Sequence, residues 1–98
     1  MDKIRAMQYF CFISYSCSFS AAARKAQVPV SSLSRSIQAL ESELGAELLK
    51  RSTRHVAMTE IGKIYLDQCK EILAAIELAD GQVGSYQSSP SGILRISA

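Results

Sequence analysis

The sequence of 98 residues has no tryptophan, one histidine and three cysteines. A single histidine with cysteines that lack Cys-x-x-Cys spacing does not form the ligand pattern of a structural metal site, so we expect neither a metal nor a cofactor. An odd number of cysteines also argues against a disulfide framework. In a reducing compartment, Cys11, Cys17 and Cys69 are each expected to be small buried hydrophobic residues, with a redox switch as the less favoured alternative.

Long apolar segments and catalytic groupings are missing as well. No run approaches the roughly 18 apolar residues that a membrane span needs, and the N-terminus lacks the pattern of a secretion signal. No Ser/His/Asp set or glycine-rich nucleotide loop is present, which argues against an enzyme. We therefore expect a cytoplasmic protein with no membrane partner. A chain of this length builds only a thin core, which favours a partner subunit.

Charge is distributed unevenly along the chain. Residues 1–58 contain eight Lys and Arg against four Asp and Glu, whereas residues 59–98 contain three against five. The first part therefore has a net charge of +4 and the second part a net charge of −2. This asymmetry indicates that only the first part contacts a polyanion.

The segment from Val28 to Gly45 separates into two helical faces. One face has the 4, 3, 4 spacing of a buried stripe and consists of Leu33, Ile37, Leu40 and Leu44. The opposite face is short and polar, with Ser31, Ser34, Arg35, Gln38 and Ser42. Such a face suits a helix that brings polar atoms close to base edges in a DNA groove. An ordinary amphipathic helix with a serine-rich start is the alternative.

Two shorter helices are predicted before this one. Apolar spacing indicates a first helix over residues 2–15, followed by a break at Ser16–Ser18. A second helix is expected to have Ser20 as its N-cap, Phe19 as a hydrophobic staple, and its end at Val28-Pro29. The third helix is expected to have Ser31 as its N-cap and Gly45 just beyond its end. A helix, a short turn and a second helix with a polar face form the order of a helix-turn-helix.

The pattern after Gly45 predicts a β-hairpin, or wing. Leu48 and Leu49 are expected to face inward, and Val56 and Met58 alternate with Ala57 around a basic tip at residues 52–55. Phosphate contact is favoured over a merely solvated turn, because the basic side chains of the wing follow a serine- and arginine-bearing helix face. Those basic residues are Lys50, Arg51 and Arg54.

A long helix is predicted from Thr59-Glu60 onward, with Thr59 as cap and with Ile61 and Leu66 packing back on the domain. Its heptad stripe predicts a homodimer through Tyr65, Cys69, Ile72, Ile76, Ala79, Val83 and Tyr86. The alternative is a helix that folds onto its own domain. After it, QSSPSG reads as a linker, and residues 93–96 read as a strand without a partner, as though the sequence were cut at a domain boundary.

Taken together, the sequence resembles the N-terminal DNA-binding region of LysR-type transcriptional regulators over nearly its whole length. Four segments in a fixed order carry the resemblance: SFSAAARKAQV, SLSRSIQALESELGAELLKRSTR, MTEIGKIYL and GILRISA. It implies a mainly α fold, with a winged helix-turn-helix of three helices and a β-hairpin wing followed by a long dimerisation linker helix. Double-stranded DNA is the implied partner, and a small-molecule inducer would bind only an effector domain that this sequence lacks.

The resemblance also implies site residues by position. It places base contacts at the start of the third helix, on Val30, Ser31, Ser34 and Arg35, and Gln38 on the same polar face is a further candidate. The resemblance places a phosphate contact on Arg54, and the further candidates for phosphate contact, taken from the sequence itself, are Ser20, Arg24, Lys25, Ser32, Arg51 and Thr53. Two positions depart from the family pattern. Pro29-Val30-Ser31 replaces the frequent Ser-Gln-Pro, which removes a glutamine able to pair with adenine, and Cys17 replaces the usual glycine before Ser18.

The resulting domain assignment has three parts: a winged helix-turn-helix over 1–58, a dimerisation helix over 59–87, and a hinge with the first effector strand over 88–98. The predicted function is sequence-specific binding of double-stranded DNA, with the third helix in the major groove and the wing on the backbone. The alternative is an interaction module that pairs with full-length regulators through residues 59–87.

Overall fold

The computed structural model describes residues 2–51 and 56–88. The elements, in chain order, are α1 (Lys3–Ser16), α2 (Phe19–Ala26), α3 (Val30–Leu44), β1 (Leu49–Arg51), β2 (Val56–Met58) and α4 (Glu60–Ser88). This order confirms a mainly α winged helix-turn-helix followed by a long helix. No helix within these ranges combines the length and apolar character needed to cross a membrane.

Helix α1 is capped at its start by Asp2, whose carboxylate accepts a hydrogen bond from the Arg5 backbone N–H at 3.1 Å.

The turn between α1 and α2 depends on a residue in the left-handed region. Cys17, which follows α1, has φ 54° and ψ 30°, and its N–H donates to the Ile13 carbonyl. Left-handed backbone favours glycine, which fits the glycine that the family resemblance implies at the position of Cys17.

The N-caps of α2 and α3 differ from those predicted. The Ser18 hydroxyl, not that of Ser20, caps α2 by accepting from the Ala21 N–H at 3.2 Å. Helix α3 begins two residues earlier than expected, because Pro29 is extended and its carbonyl accepts from the N–H of Ser32 and of Leu33. Ser31 therefore lies inside the first turn of α3 and has no capping role.

The end of α3 agrees with the sequence. Gly45 has φ 69°, and its N–H donates to the Glu41 carbonyl at 2.8 Å, as expected for the glycine that follows a helix.

The core lies where α1, α2, α3 and the first half of α4 meet. Its largest fully buried side chains are those of Phe10, Ile13, Leu33, Ile37, Leu40, Leu48 and Cys69. Burying each large apolar side chain contributes roughly 1.5–3 kcal/mol to stability. Leu44 was predicted to continue the buried stripe of α3 but is 38% exposed, because it lies at the last turn of the helix, beyond the core.

The wing is an antiparallel hairpin, as predicted. Leu49 pairs with Met58, Lys50 with Ala57, and Arg51 with Val56. Leu48 and Leu49 are buried at its base, which confirms the prediction that both face inward. The tip at 52–55 lies outside the described residues.

Helix α4 begins at a well-bonded cap and then leaves the core. The Thr59 hydroxyl accepts from the Gly62 N–H at 3.0 Å and donates to the Glu47 carbonyl at 2.6 Å. Leu66 is buried as predicted, but Ile61 is 46% exposed and does not pack back on the domain. Beyond Leu73, which packs against the core, the side chains of the helix are mostly exposed up to residue 85.

Candidate nucleic-acid interface

The exposed face of α3 is the one predicted for it. Ser31, Arg35 and Gln38 are exposed, Val30 is 43% exposed and Ser34 is half-buried. Leu33, Ile37 and Leu40 are fully buried on the other side and hold this face in a fixed orientation. The structure therefore presents all five residues assigned to base contact on one accessible surface, with short side chains that allow a close approach.

The serine hydroxyls of α3 differ from those of α1 in their hydrogen bonding. Those of Ser14 and Ser16 donate to carbonyls of their own helix, at 2.6 and 2.9 Å. On α3, none of the serine hydroxyls bonds to another described residue, and none is buried without a partner. These α3 residues are Ser31, Ser32, Ser34, Ser36 and Ser42. Their donors and acceptors are consequently free for a ligand.

Grooves run along both sides of α3. One, of about 500 Å³, separates Ser32, Arg35 and Ser36 from the first turns of α1, where Asp2, Arg5 and Tyr9 form the other wall. The second, of about 490 Å³, lies between α3 and the wing and is lined by Gln38, Glu41, Glu47, Leu49, Lys50 and Arg51. The exposed face of α3 thus forms a ridge between two depressions, and Arg35 and Gln38 mark its two sides.

The residues assigned to phosphate contact on α2 lie at both ends of that short helix. Ser20 is exposed in the first turn, and Arg24 and Lys25 are exposed in the last. Arg24 forms no ion pair with any described residue, whereas the Lys25 ammonium lies 5.6 Å from the centre of the Phe12 ring. A lysine above an aromatic face is partly held in place, so Arg24 is the less constrained cation of the two.

Arg51 is already engaged within the protein. Its guanidinium lies 4.8 Å from the centre of the Phe19 ring and 3.8 Å from the Glu41 carboxylate. The wing residues Thr53 and Arg54, also assigned to phosphate, lie outside the described residues. Of the basic wing residues within the described part, Lys50 is exposed and has no such contacts there.

No role was predicted for Glu41 from the sequence, although the structure gives it several partners. One carboxylate oxygen accepts hydrogen bonds from the backbone N–H groups of Leu48 at 2.8 Å and Leu49 at 3.2 Å. The other oxygen faces Arg51. The only signal in the sequence is its place between the buried and the polar stripe of α3. Its partners lie seven to ten residues farther along the chain, so helical periodicity does not predict these contacts.

The three cysteines have different environments. Cys11 and Cys69 are buried as expected, but Cys17 is exposed, because it occupies the turn after α1. Burial, with a smaller contribution from nearby Cys11, raises the pKa of the Cys69 thiol to about 11. Burial also raises the pKa of Cys11. Both buried thiols are therefore protonated near neutral pH. The described residues contain no cluster of His, Cys, Asp and Glu suited to a metal.

The residues assigned to dimerisation divide into two groups. Cys69 is fully buried and Tyr65 half-buried, with the Tyr65 ring 6.1 Å from the ring of Phe10 in the same chain. Cys69 therefore belongs to the core of its own chain rather than to an exposed seam. Farther along α4, apolar side chains are accessible: Ile72, Ala79 and Val83 are exposed and Ile76 is half-buried. The side chain of Tyr86 lies outside the described part.

Comparison with known sequences identifies the family. A model described as a bacterial regulatory helix-turn-helix protein of the lysR family matches residues 4–63. The HTH-type transcriptional activator AaeR of Escherichia coli (strain K12) is 38% identical over 96 residues, which cover 98% of this chain and 31% of AaeR. The uncharacterized regulator YhjC of the same strain is 45% identical over 96 residues, covering 98% and 32%. The chain spans about a third of the length of these relatives.

Solved structures with the same fold include protein–DNA complexes. The crystal structure of the BenM DNA-binding domain with catB site 1 DNA matches with a TM-score of 0.84 and 31% identity, over 88% of this chain and 97% of that one. The CbnR DNA-binding domain in complex with DNA matches with a TM-score of 0.81 and 28% identity, over 86% and 97%.

The chain is thus a winged helix-turn-helix of the regulatory type. It belongs to the LysR family of bacterial transcription regulators, whose DNA-binding fold it carries.

Proposed function

We propose that this chain binds double-stranded DNA sequence-specifically, as the targeting module of a LysR-type transcription regulator. The observation that carries the proposal is the exposed face of α3, with its unbonded serine hydroxyls and Arg35 on a ridge held rigidly by the core. Arginine pairs with guanine in the major groove, and serine hydroxyls bond to several bases. Val30 offers an apolar contact to a thymine methyl group.

Sequence-independent affinity comes from the basic residues around α3. We assign phosphate contacts to Ser20, Arg24 and Lys25 on α2 and to Ser32 beside the ridge, all of which have accessible side chains. Arg54 keeps the phosphate role that the family resemblance implies, and Thr53 remains a candidate for the same role. These contacts position the protein on the duplex without reading its sequence.

A homodimer through α4 completes the proposal. The helix extends well beyond the core, and Val83 is 56% exposed on the heptad stripe. Two copies that pack along Ile72, Ile76, Ala79 and Val83 would cover these side chains, and a two-fold dimer reads a two-fold DNA site. A small-molecule inducer would act through a further domain of a full-length regulator. DNA binding implies a cytoplasmic location, where the bacterial chromosome lies.

Binding to a fluorescein-labelled duplex, followed by anisotropy across a salt series, tests the DNA-binding function. We expect the logarithm of the association constant to fall linearly with the logarithm of the salt concentration, by roughly 0.9 for each phosphate contact. Binding that does not depend on salt, or no binding at all, would contradict the proposal. Absent DNA binding with a retained dimer would instead favour the interaction module.

Sedimentation velocity tests the dimer. Val83→Glu places a charge in the proposed seam and should shift the protein toward monomer. Leu78→Glu is the matched control, since Leu78 is 66% exposed on α4 but lies off the heptad stripe. Equal sedimentation of both variants and the original protein would reject the seam.

A further inference from the structure

Glu41 and Arg51 join α3 to the wing through a compact set of contacts. The Glu41 side chain is only 17% exposed, although it carries a charge. One of its oxygens accepts two backbone hydrogen bonds from the chain entering β1, at Leu48 and Leu49. Its other oxygen lies 3.8 Å from an Arg51 guanidinium nitrogen. The carboxylate therefore has partners on the incoming strand and on the side chain at the end of that strand.

Arg51 is held from two directions. Its guanidinium group lies above the ring of Phe19, the first residue of α2, and beside the carboxylate on α3. A planar guanidinium can stack on an aromatic ring and pair with a carboxylate at the same time. Arg51 thus connects α2, α3 and the wing at a single point. Swinging it toward a DNA phosphate would break both contacts.

We propose that Glu41 and Arg51 are positioning residues that set the angle of the wing relative to α3, and that Arg51 acts through Glu41 and Phe19 instead of binding a phosphate. The proposal rests on the DNA-binding function proposed above. A hairpin with strands of three residues has little stability of its own. Contacts at its base therefore decide how the hairpin is oriented against α3.

The substitution Glu41→Gln separates positioning from charge. Removing a negative charge beside a polyanion-binding face should strengthen binding if charge alone matters. If Glu41 positions the wing, the same substitution should weaken binding to a mixed-sequence duplex, by roughly three- to tenfold, because the ion pair with Arg51 is lost and the two backbone hydrogen bonds lose their charge assistance. Stronger or unchanged binding would overturn the proposal.

Glu43→Gln is the matched control. Glu43 lies on the same helix and forms an ion pair of 2.8 Å, but with Lys3 on α1 and not with the wing. The substitution removes the same charge and an ion pair while leaving the wing contacts intact. We expect its affinity for the duplex to equal or exceed that of the original chain. A loss equal to that of Glu41→Gln would mean that any ion pair on α3 matters, and would overturn the specific role of Glu41.

Arg51 variants distinguish a positioning residue from a phosphate ligand. Lysine keeps the charge but loses the planar fork and the stacking. Arg51→Lys should therefore bind DNA as weakly as Arg51→Gln. The double variant Glu41→Gln/Arg51→Gln should lose less affinity than the sum of the two single losses, because both substitutions break the same ion pair. If Arg51 binds a phosphate, the lysine variant keeps most of the affinity and the two single effects act independently. Either result would overturn the proposal.

Amide hydrogen exchange tests the contacts without DNA. The backbone N–H groups of Leu48 and Leu49 should exchange faster in Glu41→Gln than in the original chain, and should be unaffected in Glu43→Gln. Unchanged exchange at both amides would reject the positioning role by itself. If the original chain does not bind DNA, the proposed function fails, while the exchange data still decide whether Glu41 holds the wing.

Discussion

The carbonyl oxygen of Leu48 occupies the space that a Cβ atom on Gly62 would need. Leu48 is at the base of the wing, and Gly62 is in the first turn of α4. The Leu48 carbonyl also accepts a hydrogen bond from the Thr59 N–H at 3.0 Å. The junction between wing and linker helix therefore depends on a residue without a side chain.

Gly62→Ala should destabilise the protein by about 1–3 kcal/mol, because the methyl group overlaps backbone that cannot move without breaking the cap. Gly81→Ala is the control: a Cβ atom there meets nothing within 4 Å. Alanine at such an open helical position should stabilise by about 0.5–1 kcal/mol. Urea denaturation measures both. Stabilisation by both substitutions would show that the close approach at Gly62 does not exist.

Cys17 is the site of a second stability prediction. Its φ of 54° costs a side-chain-bearing residue roughly 1–2 kcal/mol relative to glycine. Cys17→Gly should therefore raise the free energy of unfolding by about 0.5–1 kcal/mol, after the greater flexibility of glycine in the unfolded chain is subtracted. Cys17→Ala removes the thiol but keeps the Cβ atom and should give no such gain. Equal effects of the two substitutions would exclude backbone conformation as the cause.

Stability should decrease at alkaline pH through the buried thiol of Cys69. The folded chain holds the pKa of this thiol at about 11, above its ordinary value of 9.0. Between these values the unfolded chain loses the proton while the folded chain keeps it, so the unfolded state becomes more favourable as pH rises. Melting temperatures from pH 8 to about 11 should fall less steeply for Cys69→Ala than for the original chain. Parallel curves would contradict this.

Arg35 should contribute to the preference of the protein for a particular DNA sequence. Arg35→Ala is expected to cost about 1–3 kcal/mol on a selected DNA site and much less on mixed-sequence DNA. Arg24→Ala should weaken binding to both DNAs alike and reduce the salt slope by roughly one unit. Competition binding with the two duplexes distinguishes these cases. An equal loss on both DNAs for Arg35→Ala would make Arg35 a phosphate ligand.

Much of the architecture was predictable because it depends on periodicity. The buried stripe of α3 up to Leu40, the alternation around Ala57 and the glycine after α3 each follow from local spacing, and the structure agrees with them. The caps of α2 and α3 were predicted wrongly, because several serines near each helix start have side chains suited to capping. In the structure Ser18 caps α2, and the residue before α3 is the extended Pro29, which has no capping side chain.

Contacts between residues that are far apart in the chain could not be predicted from the sequence. A heptad stripe shows that one side of α4 is apolar, but not whether its own chain or a second copy covers each position. Cys69 is covered by its own chain, whereas Val83 remains exposed. Glu41 likewise resembled an ordinary surface charge and Arg51 a phosphate ligand, since their partners come together only when the wing folds against α3.

Selection of bound duplexes from a randomised pool, followed by sequencing, tests most directly whether α3 reads DNA sequence. The account predicts enrichment of a two-fold related motif by the original chain, and loss of that enrichment in Arg35→Ala while salt-dependent binding persists. Salt-dependent binding by the original chain without any enriched motif would contradict the assignment of the α3 face to base recognition.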